Sequence, residues 1–160
     1  FLDIENKNTR INYVLANSSL KYAQSNNISI ACQGQVIGMG CGQQNRVGCV
    51  KLAGDKARHW ARRQTPISLE YWKCLKGKRQ EKVNQLYDYI KLVKPDIPDF
   101  DMVMASDGFF PFPDNIELAN EYKIKHIIHP GGSIADSKIK ECCDKYNIQL
   151  YTTTMRMFYH

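Results

Sequence analysis

The chain has 160 residues, 43% hydrophobic and 24% charged, with a net charge of +6, an ordinary balance for a globular domain with a sizeable core. No run approaches the roughly 18 apolar residues that a membrane-spanning helix needs, which excludes that class. The charge is uneven: residues 51–94 hold 12 Lys/Arg against 4 Asp/Glu, and residues 95–160 hold 6 against 10.

Residues 1–10 are polar and read as a frayed start. From Asn12 to Tyr22, Tyr13, Val14, Leu15, Leu20 and Tyr22 suggest a helix that stops at Gln24-Ser25-Asn26-Asn27. Residues 28–32 alternate as a strand, Gln33-Gly34 turns, and residues 35–40 return, which predicts an antiparallel hairpin. Asn45 is a candidate N-cap for a helix through about Arg63. Residues 64–77 read as a linker with a short helix. Val83, Leu86, Tyr87, Ile90 and Val93 form a helical stripe ended by Lys94-Pro95.

An alternation follows that fixes the class. Strand 101–105 leads through an aromatic loop to helix 114–122, with Asp114 as its expected N-cap. Strand 124–128 leads through His129-Pro130-Gly131-Gly132-Ser133 to helix 134–146, and strand 148–151 leads into the tail. Successive units of this kind imply parallel strands with right-handed crossovers. The expected fold is α/β: a three-layer α/β/α domain over residues 1–160, with a mixed sheet, the hairpin first and the parallel strands last.

The loop Ala105-Ser106-Asp107-Gly108-Phe109-Phe110-Pro111-Phe112-Pro113 carries three phenylalanines and two prolines. A loop that apolar packs either into the core or against a flat ligand. Its place at the carboxyl end of a strand favours a site. Asp107 orients a ligand or caps the loop. Gly131-Gly132-Ser133 before a helix is an anion cradle or a tight turn. Arg156 offers a planar cationic fork to phosphate or carboxylate, or else sits on the surface. His160 can titrate near neutral pH. Asn26 and Arg46 flank the hairpin.

The basic stretch 51–94 is either a solvated helix surface or an anion-binding face, and no aromatic-rich nucleic-acid module accompanies it. The six cysteines (32, 41, 49, 74, 142, 143) form no Cys-x-x-Cys pair and no zinc spacing, so no metal site is expected. Cys142 and Cys143 fit a helix core, and the chain reads as cytoplasmic and reduced. No signal peptide is visible, and a start at Phe1 suggests a fragment or a processed chain. A zinc deaminase signature, Gly-x-Ser-x-Gly, a Walker loop and a dinucleotide fingerprint are all missing.

Five motifs occur in one order: Gly34-Gln35-Val36-Ile37-Gly38, Gly42-Gln43-Gln44-Asn45-Arg46, Leu52-Ala53-Gly54-Asp55-Lys56-Ala57, Ser106-Asp107-Gly108-Phe109-Phe110-Pro111-Phe112, and Met155-Arg156-Met157-Phe158-Tyr159-His160. Together, from about Tyr13 to His160, the chain resembles the C-terminal half of the AICAR transformylase domain of the bifunctional AICAR transformylase/IMP cyclohydrolase family.

The resemblance implies a cytidine-deaminase-like fold without zinc, and formyl transfer from 10-formyltetrahydrofolate to AICAR in purine biosynthesis. It implies a homodimer with shared active sites, and neither nucleic acid nor a membrane as partner. It assigns Asn26, Arg46, Phe109, Arg156 and His160 to the AICAR nucleotide, Asn26 and Arg46 being reached by the partner subunit's site and Arg156 meeting the phosphate, with catalytic roles for Asn26 and His160. It assigns Pro111, Phe112 and Asp114 to the folate. A monovalent cation is implied near Ser25 and Asp107, with Ala23 and Tyr159 beside it. Where the family often has Arg, Pro113 stands here. The family's catalytic Lys-His pair lies in the other half of its domain; Lys125-His126 sits on a predicted strand without matching surroundings. The isolated chain is therefore expected to be inactive or nearly so, the alternative being a non-catalytic nucleotide- or folate-binding and dimerisation module. The basic 51–94 stretch could attract a glutamate tail on the folate.

Overall fold

A computed structural model describes Ile4 and residues 6–158. The described residues form two compact units, one of residues up to Ala57 together with those from Asp101 onward, the other of Arg58–Phe100.

The first unit begins with helix α1, Lys7–Leu20. It starts five residues before the predicted Asn12, because the Asn6 side chain accepts hydrogen bonds from the Asn8 and Thr9 amides (2.9 and 3.3 Å). Residues 7–10 are thus helical rather than frayed, and Thr9 is buried against Asp101, whose carboxylate accepts its hydroxyl. Strands β1 (Asn27–Cys32) and β2 (Gln35–Cys41) form the expected antiparallel hairpin, its turn made by Gln33 and Gly34, both at positive φ. Strands β3 (Val103–Ser106), β4 (His126–His129) and β5 (Gln149–Thr152) complete a five-stranded mixed sheet in the order β2-β1-β3-β4-β5. β1 joins β3 antiparallel, whereas β3, β4 and β5 run parallel, as the βα alternation requires. The α/β class and the mixed sheet with its hairpin stand.

Alternation along the strands divides the core. Ala31, Val103, Ala105 and Ile128 turn to one face, where Tyr13, Ala16 and Leu20 of α1 cover them. Ile28, Ile30, Met104 and Ile127 turn to the other and are fully buried. On that second face, helix α2 (Arg46–Arg63) lies so close to β2 that a Cβ on Gly38 or Gly40 would stand 2.2 Å from the carbonyl oxygen of Ala53 or Cys49. The two glycines let a helix backbone rest on a strand backbone.

Helices α5 (Asp114–Glu121) and α6 (Asp136–Lys145) follow β3 and β4. Asp114 is the first residue of α5, not its cap; Pro113 precedes it as the capping residue, with no side-chain cap bond. The fixed φ of proline suits a helix entry without one. A Cβ on Gly54 of α2 would strike the Tyr122 ring at 2.5 Å, and the Tyr122 hydroxyl donates to Asp55 (2.7 Å).

The second unit contains helices α3 (Pro66–Cys74) and α4 (Arg79–Val93). Thr65 caps α3, with Pro66 in its first turn, and Lys94 in the left-handed conformation before Pro95 ends α4. Tyr71 stacks on Tyr89 (3.9 Å), Trp60 meets Phe100 (5.3 Å), and Leu86 and Ile90 are buried.

All six cysteines are free; Cys32, Cys49, Cys142 and Cys143 are buried, and Cys41 and Cys74 are exposed. Among the described residues, no helix is long and apolar enough to cross a membrane.

Candidate functional site

The carboxyl end of β3, the start of α2 and the chain after β5 converge on a cavity of about 300 Å3. Its walls include Asn26, Arg46, Phe109, Pro111, Arg156 and Phe158.

Arg46 enters as the first residue of α2. Asn45 holds that helix start, its carboxamide oxygen accepting the Gly48 amide at 2.7 Å, so its expected capping role holds. The Arg46 side chain is 8% exposed and Asp107 is fully buried. Burying an arginine without a counter-charge would be costly, and here Asp107 supplies it. One guanidinium nitrogen donates to Asp107 and to the Ser106 hydroxyl (2.8 Å); the other donates to the Asn26 carboxamide oxygen (3.1 Å). Ser106 in turn donates to the Gly108 carbonyl (2.7 Å). A Cβ on Gly108 would sit 2.6 Å from the guanidinium, so only glycine leaves Arg46 this path.

The second oxygen of Asp107 accepts the Asn27 amide (3.1 Å), which ties the site to the start of β1. Asp107 therefore neither caps its own loop nor stands free to meet a ligand: it holds Arg46. Each Asp107 carboxylate oxygen thus already accepts a hydrogen bond at the place where the resemblance implies a monovalent ion. Tyr159 lies outside the described residues.

Asn26 donates to the Gln43 carbonyl (3.1 Å), while its own carbonyl accepts the Gly42 amide and the Cys49 thiol (both 3.0 Å). Arg156 is exposed, and its guanidinium lies 5.0 Å from the Phe158 ring centre and 6.0 Å from that of Phe109. Among the described residues it has no carboxylate within ion-pair distance. The tail that carries it is held by the Met157 amide, which donates to the Asp107 carbonyl (3.1 Å). The cavity thus has one cation offset by a buried carboxylate, a second cation that is not, and phenyl and proline walls. Such a site can hold an anion beside a planar group.

The structure brings Asn26, Arg46, Phe109, Pro111 and Arg156 together. Phe112 and Asp114 are not among the lining residues: Phe112 is 65% exposed, and the Asp114 carboxylate accepts the Asn115 amide and side chain (2.8 Å each). His160 lies outside the described residues. The Gly131-Gly132-Ser133 loop is a tight turn whose Gly132 amide donates to Asp136 (2.7 Å), so the chain's own carboxylate takes the place of an external anion. His126 pairs with Asp101 (2.7 Å) at the start of β4, as a structural contact. Sequence reasoning missed the Arg46–Asp107 pair. Its one signal was an arginine at a predicted helix start and an aspartate at a predicted strand end, 61 residues apart.

Beneath the aromatic loop, His129 is 2% exposed and stacks on Phe110 (5.6 Å). Burial pushes its imidazole below the ordinary value of 6.5; the opposing pull of Asp136 is smaller, and Arg46 adds to the lowering. As pH falls below about 6.5, the unfolded chain binds a proton that the native chain refuses, so stability is lost on acidification. His59 is lowered in the same sense. Denaturation midpoints between pH 7 and 5 should therefore fall less for His129→Gln than for the parent, and equal slopes would refute this role for His129.

The AICARFT/IMPCHase bienzyme family matches residues 4–56, and the chain is a relative of that family. The bifunctional purine biosynthesis protein PurH of Prochlorococcus marinus strain MIT 9312 is 37% identical over 140 residues, which is 88% of this chain and 20% of that protein. The protein of the same name from Prochlorococcus marinus subsp. pastoris is 36% identical over the same shares of each chain, and that of strain AS9601 is 35% identical. The chain spans about one fifth of the length of these curated relatives.

Proposed function

We propose that this chain supplies the nucleotide- and folate-contacting part of an AICAR formyltransferase, as the C-terminal portion of a transformylase domain of three-layer, cytidine-deaminase-like architecture. The single observation that carries the reading is the gathering of Asn26, Arg46, Phe109, Pro111 and Arg156 at one cavity from four separate stretches of chain.

In the transfer, the weakly nucleophilic amine of AICAR bonds to the formyl carbon, the bond from that carbon to folate N10 breaks, the amine loses a proton and N10 gains one. This chain's residues bear on positioning. Arg156, a cation without a carboxylate partner among the described residues, receives the nucleotide phosphate. Phe109 and Pro111 flank the planar base. Asn26 is steered by Arg46, which fixes its carboxamide oxygen as acceptor and leaves its amino group toward Gln43. Phe112, exposed at the loop's edge, and Asp114 at the start of α5 serve the folate. Proton transfer falls to residues outside this chain, so the 160 residues alone bind without turning over, in a cytoplasmic homodimer whose sites are shared.

Titration calorimetry with AICAR tests this. Arg156→Ala is expected to weaken binding about 10- to 100-fold, the scale of one lost charge-assisted contact. Affinity unchanged by that substitution would remove the phosphate assignment. Steep salt dependence towards any polyanion would favour a nucleic-acid reading instead.

A further inference from the structure

Asn26 stands in the wall of the cavity, and its side chain is a carboxamide, a group that turns easily about its last bond. Its direction therefore depends on what holds both ends of the residue. At the head, Arg46 donates to the carboxamide oxygen and the amino group donates to the Gln43 carbonyl, each at 3.1 Å. At the main chain, the Asn26 carbonyl oxygen accepts two donors, the Gly42 amide and the Cys49 thiol, both at 3.0 Å.

These two donors are not equivalent. The Gly42 amide is shared, because it lies 3.0 Å from the Gln24 carbonyl as well. The thiol has a single proton and gives it to Asn26. Burial raises the Cys49 thiol above its ordinary value, outweighing the Gln43 amide and the Arg46 cation that pull it down, so it keeps that proton. Cys49 follows Arg46 by three residues in the first turn of α2, so one helical turn grips Asn26 twice, at its head and at its main chain. Cys49 itself is fully buried and is not among the residues that line the cavity. It can hold Asn26 without touching what the cavity holds.

We propose that Cys49 is a positioning residue for Asn26: its thiol, donating to the Asn26 main-chain carbonyl, sets the base from which the carboxamide faces the cavity. The proposal rests on the reading of Asn26 as a nucleotide contact.

Nuclear magnetic resonance reads the effect without any ligand, through the two side-chain amide protons of Asn26. In the parent, one of them is bonded to Gln43 and the pair should be widely split. Cys49→Ala removes the donor and should bring the pair toward the spacing of an exposed carboxamide. Cys49→Ser keeps a donor and should hold the parent spacing. In titration calorimetry, AICAR should bind about 3- to 10-fold more weakly to Cys49→Ala, the scale of one neutral hydrogen bond, and within about twofold of the parent to Cys49→Ser. A thiol that merely packs would lower the urea midpoint and leave the Asn26 pair unmoved, and that result overturns the proposal. So does a pair displaced equally in the alanine and serine variants. Should Cys49→Ala fail to fold, the infrared S–H stretch of the parent minus that of Cys49→Ser isolates this thiol. A band lowered in frequency by hydrogen bonding supports the proposal, and one at the frequency of a free thiol overturns it. A parent that binds no AICAR defeats the reading of the site, while the Asn26 signals still decide whether Cys49 positions that residue.

Discussion

Asp107→Ala is expected to lower the free energy of unfolding by about 3–5 kcal/mol, the usual cost of removing one member of a buried ion pair. The substitution takes away the only carboxylate that the described residues place beside a guanidinium that is 8% exposed, leaving it the neutral oxygens of Ser106 and Asn26. It also leaves the Asn27 amide without its side-chain acceptor, at the residue where β1 begins. Urea denaturation checks the size. The double variant Arg46→Met, Asp107→Leu separates charge from packing: with both ions gone, much of the loss should return, since an apolar pair carries no desolvation penalty. A single-variant loss below about 1 kcal/mol, the scale of a surface pair, would mean that Arg46 reaches water and that the buried pair described here is wrong.

Gly40→Ala is the second large effect, expected near 3 kcal/mol, at the upper end of overpacking costs. The new methyl would lie 2.2 Å from the Cys49 carbonyl oxygen and 3.0 Å from the Ala53 amide nitrogen, both backbone atoms of α2 that cannot rotate aside. Gly34→Ala is the control, because Gly34 has φ +74° and nothing within 4 Å of the added carbon. It should cost only about 1 kcal/mol of backbone strain. Comparing the two midpoints distinguishes close helix–strand approach from turn geometry. Equal losses would remove the claim that α2 rests directly on β2.

The elements legible in the sequence were those whose pattern is local. The hairpin at 28–40 and the two βα units from Val103 onward have periodicity and turn residues within a few positions of one another. The start of α1 was misplaced because its signal is one side chain, Asn6, ahead of a polar first turn whose burial depends on Asp101, 92 residues away from Thr9. The antiparallel join of β1 to β3 had no local signature either. The paired residues lie more than 70 positions apart in the chain, and both strands are buried throughout, so neither carries a pattern that marks its partner. At the candidate site, residue types showed what could bind, but not what was already spent. Asp107 looked available until its arginine was found, and Gly131-Gly132-Ser133 looked like a cradle until Asp136 was found inside it.

The cysteines have a practical consequence. Burial raises the thiols of Cys32 and Cys143 to about 11 and about 12, and those of Cys49 and Cys142 in the same direction, so these four hold their protons and react poorly with electrophiles. Cys41 and Cys74 stand in the open, one in each compact unit. The native sequence thus carries two addressable handles, and a thiol-reactive fluorophore or spin label can follow either unit without an engineered cysteine.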